Sequence, residues 1–498
     1  MSRHRVRLFA VVAAVAAATT ALVVLGQDKP ELTTSSRQAY ALYLQGEERL
    51  NAFQFAAAES LLQGAVKLDG GFAMAHAALG EACASSGVGK EAKRQYALAD
   101  SLARLLPRED ERLLVQLRLP GVSGKSQTAP TARDSLITLA QKRLPGHPLV
   151  LRARALRFRD LGDTEEEEAA WREVLRADPN YSRAYNWLGY LAAGQGRYIE
   201  ALSYLRRYAF LAPDIANPHD SLGEIYTYMG ELDAAEQEFR LALELQQDFY
   251  PSLLGLARVY LAQGRLRRAL EILDQTRVQF AGTGVADAID AFTVGQLFDQ
   301  GYPHLALPSL ARLSAAQPKS EEAAWLRSLV MAHEGRLTEA RALGDSLLGV
   351  WRASPRYAKL EQTRRRVECR DQALRAVLSG AHGEPTQEVA AWGKALIEAH
   401  TFPPHERWSL QWRYAESLAR LAQPEAALEQ AREILAVNPR LIGPLLLQAR
   451  CALELGRAEE ARAAFTSLDA ALARADADLP AVATADSLRR QLAARPAS

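Results

Sequence analysis

The sequence predicts an all-α protein made of stacked helical hairpins. Two observations carry this: helical spacing of apolar residues within short segments, and a pattern of small and large positions that returns every 34 residues. The stretch "LGYLAAGQGRYIEALSYLRRYAFLAP", residues 188–213, shows both. Apolar residues keep helical spacing before Gly194-Gln195-Gly196, and Ile199, Leu202, Leu205 and Tyr208 keep it afterwards. The glycines mark a helix C-terminus and Pro213 closes the second helix. Moving on by 34, Gly189 becomes Gly223 and then Ala257, and Gly196 becomes Gly230 and Gly264. Ala201 becomes Ala235 and Ala269, while Leu205 becomes Phe239 and Leu273. Gly189 weakens a helix by about 1 kcal/mol relative to Ala. Its recurrence in register marks a close approach of two helices.

Taken in chain order, residues 1–26 stand apart. Arg3, Arg5 and Arg7 precede nineteen residues without a charge, Leu8 to Gly26. As a helix that run spans roughly 28 Å, close to the hydrocarbon thickness of a bilayer. The arginines stay cytoplasmic, so the chain beyond Gln27 lies on the other side. An uncleaved anchor and a signal peptide cleaved near Val24-Leu25-Gly26 both remain open. The expectation is a single-pass protein of the bacterial cytoplasmic membrane with its array extracytoplasmic, or a secreted or periplasmic one. Residues 27–36 read as a linker and 37–106 as two hairpins. Residues 107–147 form an irregular helical section with a loop at 119–132. A regular block covers 148–283, weaker hairpins 284–354, and irregular helices 355–407, including "RRRVECR". A final pair occupies 408–475, and 476–498 hold a capping helix and tail.

The repeat resembles the tetratricopeptide repeat, a 34-residue helix–turn–helix unit. The resemblance covers most of the chain, with further units from Ala39 and Ala73 and a last pair set by Ala427 and Gly456. Gln45 and Glu167 depart from it, standing where Leu and Ala are usual. The family implies an α/α superhelix. "AYALYLQGEERLNAFQFAAAESLLQGAVKLDGGFAMAHAALGEA", with "LARLLPREDERLLV" and "ANPHDSLGEIYTYMGELDAA", also resembles the repeat region attached to some bacterial serine/threonine kinases and regulators. No kinase domain is present, so that kinship implies a signalling or sensory context and licenses no catalytic claim.

The remaining motifs fall short of catalytic or metal-binding chemistry. "GVSGKS" ends like a P-loop, but Leu119 stands where the first glycine belongs and no strand precedes it. "GTGVAD" lacks the strand and third glycine of a dinucleotide turn. His333-Glu334 has Leu337 where a zinc-binding helix needs its second His. His382, His400 and His405 have no Cys or carboxylate set to complete a metal site. No Gly-x-Ser-x-Gly elbow occurs. Cys83, Cys369 and Cys451 lie in helical patterns and read as packed thiols. Glu165 to Glu168 favour a helix N-terminus, and Arg364 to Arg366 an exposed helix. A net charge of +1 gives no global field for nucleic acid or anionic lipid. The expectation is a chain that is not an enzyme, with no cofactor, metal or nucleic-acid partner.

What remains is the groove. The resemblance implies that the first helix of each hairpin lines a concave side through positions two, five, nine, twelve and thirteen. These are Arg183, Asn186 and Tyr190; Asn217, Asp220, Glu224, Thr227 and Tyr228; and Arg258. Tyr40 and Tyr43 point the same way in the first unit. Amide, carboxylate, guanidinium and phenol groups suit an extended peptide. No Lys/Asn/Arg clamp for a terminal carboxylate is reproduced. The function expected is a protein-binding scaffold held at the membrane, where attachment raises the effective concentration of anchored partners. The alternative is a sensory module that couples a ligand to a separate kinase or regulator.

Overall fold

The computed structural model describes residues 32–86, 88–120 and 129–494. Helices α1 Arg37–Asn51, α2 Phe55–Leu68, α3 Ala73–Ser85 and α4 Gly89–Ala103 form the first two hairpins. Next come α5 Glu109–Arg118, α6 Ala129–Arg143, and the pair α7 Pro148–Leu161 and α8 Thr164–Ala177. The regular block continues with α9 Ser182–Gly194, α10 Tyr198–Leu211, α11 Ala216–Met229, α12 Leu232–Leu245, α13 Tyr250–Ala262 and α14 Leu266–Gln279. Then follow α15 Gly284–Asp299, α16 Leu307–Ala316, α17 Glu321–His333, α18 Leu337–Arg352, the short α19 Pro355–Lys359, and α20 Glu361–Ala381. The chain ends with α21 Pro385–Glu398, α22 Pro404–Arg420, α23 Pro424–Val437, α24 Ile442–Glu454, α25 Ala458–Leu472 and α26 Pro480–Ala493. No strand occurs among the described residues. No helix among them is long and apolar enough to cross a membrane, and the anchor or signal expected in 1–26 lies outside them. The GVSGKS glycines and lysine are also outside.

Among the described residues two compact units result, 32–188 with 207–215, and 189–206 with 216–494. In the first, the core gathers Tyr40, Tyr43, Leu50, Leu62, Phe72 and Met74. Tyr40 and Tyr43 therefore do not line a groove. Both are buried, and the Tyr43 ring lies 5.1 Å from that of Phe72. Aromatic area is most stabilising under cover, and Phe72 supplies it. The departure at Glu167 has a local reason too. Trp171 is fully buried and donates its indole N–H to Glu167 at 3.1 Å, so the acid satisfies a donor that Ala would leave orphaned.

In the second unit the small positions act as the repeat requires. A Cβ on Gly189 would stand 2.8 Å from the buried Leu205 side chain. One on Gly255 would stand 2.3 Å from the Phe239 ring, which also presses on Gly223. Large residues of the second helix thus fill the space that glycine leaves on its neighbours. The hairpin turn takes a left-handed residue, as at Gly230 with φ +77°. At the matching turn between α22 and α23 the chain has Ala422, exposed, with φ +56°.

A nearest-neighbour array does not account for the rest of this unit. The C-terminal hairpins return to the turns of the regular block. Asn438 donates its amide to the Thr227 carbonyl at 3.2 Å, and the Asp476 N–H bonds to the Gly264 carbonyl at 3.0 Å. Arg413 reaches the Phe298 carbonyl at 2.6 Å, and Arg474 pairs with Asp233 at 2.7 Å. The arginine run is likewise engaged. Arg365 pairs with Glu361 at 2.6 Å and Arg366 with Glu406 at 2.9 Å. Cys83, Cys369 and Cys451 are buried free thiols.

Two substitutions separate these constraints. Gly189→Ala forces a Cβ into Leu205 and is expected to cost about 1–3 kcal/mol by overpacking. Ala422→Gly relieves a left-handed backbone and is expected to stabilise by up to about 1 kcal/mol. Urea unfolding monitored by circular dichroism reads both. A neutral Gly189→Ala would mean the helices have room to spare.

Candidate functional site

The site is built on the first helices of three successive hairpins, α9, α11 and α13. Tyr190, Glu224 and Arg258 occupy one repeat position, each 34 residues from the next. Glu224 is the hub. It accepts the Tyr190 hydroxyl at 2.9 Å, the Tyr228 hydroxyl at 2.5 Å and the Arg258 guanidinium at 3.4 Å. The guanidinium also lies 5.3 Å from the centre of Phe292, one more repeat along. Side-chain exposures of 24% at Glu224 and 30% at Arg258 leave this ladder open to a ligand. Burial, then the charge of Glu224, pushes the Tyr190 and Tyr228 phenols well above their ordinary range. Both stay neutral donors.

The other expected residues of this unit play different parts. Asp220 accepts the Ser252 hydroxyl at 2.7 Å. Burial, reinforced by Glu224, pushes its carboxyl up to about 7 against the hydrogen bond from Ser252 and the charge of Arg258. Asn217 is half-buried. Thr227 is buried and gives its hydroxyl to the Gly223 carbonyl at 2.8 Å, one turn back. That bond holds Thr227 within its own helix. Tyr228 is covered: His405 of α22 stacks on it, with ring centroids 3.8 Å apart and 5° between planes. Trp408 meets the same ring edge-on at 6.4 Å. Burial depresses the His405 pKa, which keeps the imidazole neutral against the phenol.

Arg183 and Asn186 belong to the first unit. Asn186 is buried. Arg183 donates to Glu81 at 2.9 Å and lies 4.8 Å over the Phe53 ring. Glu81 also pairs with Arg152, and Arg118 bridges Glu81 and Glu47. Burial opposes ionisation of Glu81, but Arg152, Arg183 and Arg118 outweigh it and hold the carboxyl well below the usual range. This network was missed in the sequence, although a signal was present. Glu47 and Glu81 are 34 apart, as are Arg118 and Arg152. No group of three or more His, Cys, Asp and Glu among the described residues is placed to hold a metal.

Residues 152–216, 226–287 and 296–358 match models described as tetratricopeptide repeat. These three stretches carry tetratricopeptide repeats. The chain is 26% identical over 140 residues to mouse superkiller complex protein 3, covering 28% of this chain and 9% of that protein. It is 26% identical over 212 residues to cellulose synthase operon protein C of Xanthomonas axonopodis pv. citri (strain 306), covering 40% of this chain and 14% of that one. The chain thus spans a small fraction of the curated relatives it matches. Among solved structures, the Cut9 and Hcn1 hetero-tetramer of APC/C aligns with 83% of this chain and 84% of its own, at 17% identity and TM-score 0.40. PilW, titled a widely conserved type IV pilus biogenesis factor, aligns with 44% of this chain and 98% of its own, at 19% identity and TM-score 0.37.

Asp220 gives the site a pH signature. Its folded pKa, about 7, lies above the ordinary aspartate value of 3.8, so between these values the native state holds a proton that the unfolded state has lost. Its contribution to stability therefore falls as pH rises from about 4 to about 7. Asp220→Asn keeps an acceptor for Ser252 and removes the buried charge. Melting curves from pH 4 to 8 are expected to show a smaller decline across that window in the variant. An identical pH profile would place Asp220 in contact with water.

Proposed function

We propose that the protein is a non-enzymatic scaffold that binds a protein segment along the Tyr190, Glu224 and Arg258 ladder. The observation that carries this reading is the convergence of two phenols and a guanidinium on one partly exposed carboxylate. Such a surface is pre-organised, because each donor is fixed before a ligand arrives, which lowers the ordering cost of binding. Its three levels rise along the repeat, so an extended backbone meets a donor or acceptor on each hairpin. The tetratricopeptide repeat class supports a protein partner. Arg3, Arg5 and Arg7 ahead of an uncharged run support an extracytoplasmic array at the bacterial membrane.

A second reading, a ligand-sensing module that works with a separate kinase or regulator, is favoured by a cavity of about 450 Å³ among the later hairpins.

The test is capture of partners from bacterial envelope extract by the full chain, compared with Glu224→Ala and Arg258→Ala variants of unchanged helicity. Loss of the hub is expected to weaken capture about tenfold or more, since hydrogen bonds to charged groups contribute about 1.5–3 kcal/mol. Equal capture by folded variants would remove the ladder from the binding surface.

A further inference from the structure

The cavity lies wholly within the second unit, away from the ladder. Its walls come from the turn at Gly264, the segment Gln300–Pro303, α22, α24 and the start of α26. Those walls are fixed. Leu479 packs at the Gly264 turn, and Asp476 holds the Gly264 carbonyl and the Arg267 N–H at 3.0 and 2.9 Å. The Trp412 ring fills the space over Gly443, where a Cβ would stand 2.5 Å from it. Arg413 is anchored on the Phe298 carbonyl and ring.

Much of the lining is aliphatic, including Leu261, Leu266, Ile442 and Leu446. Into it come a carboxylate, Glu416, and two guanidiniums, Arg413, which is taken up by the Phe298 carbonyl, and Arg450; Glu416 and Arg450 are half-buried. Neither forms an ion pair with a described residue, and Arg450 meets the neutral thiol of Cys451 instead. This is unusual in a chain whose arginines so often find carboxylates. Two half-buried opposite charges left unpaired carry a desolvation cost that a ligand of opposite polarity offsets. His333 adds no cation, because burial and then Arg413 depress its pKa.

We propose that this cavity binds a small apolar zwitterion of dipeptide size, its ammonium on Glu416, its carboxylate on Arg450, its side chains among the leucines. A volume of about 450 Å³ holds on the order of fifteen non-hydrogen atoms, taking about 30 Å³ each as for liquid water. That is the size of two apolar residues. The site is independent of the ladder, so either reading stands if the other fails.

The experiment titrates the full chain with leucyl-leucine and follows the melting temperature and calorimetric heat. Leucyl-leucine is expected to raise the melting temperature in a saturable way. N-acetyl-leucyl-leucine, which lacks the cation, and leucyl-leucine amide, which lacks the anion, are each expected to bind at least about tenfold more weakly. Glu416→Gln is expected to abolish discrimination against the acetylated form only, and Arg450→Gln against the amide only. These matched losses distinguish binding from a general effect on folding, and circular dichroism checks that both variants fold. No saturable response up to about 10 mM, well beyond a millimolar dissociation constant, would overturn the proposal. So would equal affinity for all three compounds.

Discussion

Close approach between the two helices of a hairpin, and between one hairpin and the next, is the constraint that organises this protein. Phe239 makes the point. Its ring occupies the space over Gly223 of its own hairpin and Gly255 of the next, and the side chain is 2% exposed. One aromatic residue thus serves as wedge for two helices at once. Packing at interior density leaves no slack, so each small position sets the spacing of the helix that packs beside it. The spacing of the helices in turn sets the spacing of their side chains. Tyr190, Glu224 and Arg258 meet because their backbones are held one hairpin apart.

That coupling explains why much of the fold was legible in the sequence. Gly189, Gly223, Leu205 and Phe239 fall in register because the same steric problem recurs from one of these hairpins to the next. The ladder was legible for the same reason: its members were placed on one face by repeat position. Thr227 shows where position fails as a guide. It sits in register, yet a short hydroxyl side chain in a helix bonds its own backbone one turn back. Tyr40 and Tyr43 show another limit. Their register positions match groove positions elsewhere, but Phe72 closes over them.

The features that escaped are those outside the 34-residue register. His405 and Trp408 cover Tyr228 from a helix, α22, that begins at the end of the irregular section, so no shift by a multiple of the repeat points to them. The same holds for Asn438 on Thr227 and Asp476 on Gly264. Contacts between residues more than 200 positions apart, such as the first of these, depend on tertiary closure, which local pattern does not encode. The cavity near Gly264 arises from that closure. It exists because the later hairpins return to the turns of the earlier ones within the second unit.

A double-mutant cycle between Gly255→Ala and Phe239→Leu bears most directly on the packing constraint. If the ring and the glycine share one space, Gly255→Ala costs about 1–3 kcal/mol with phenylalanine present and far less once leucine has replaced it. The expected coupling is then about 1 kcal/mol or more. Additivity within about 0.5 kcal/mol would contradict the account, because it would mean that the two residues do not compete for the same volume.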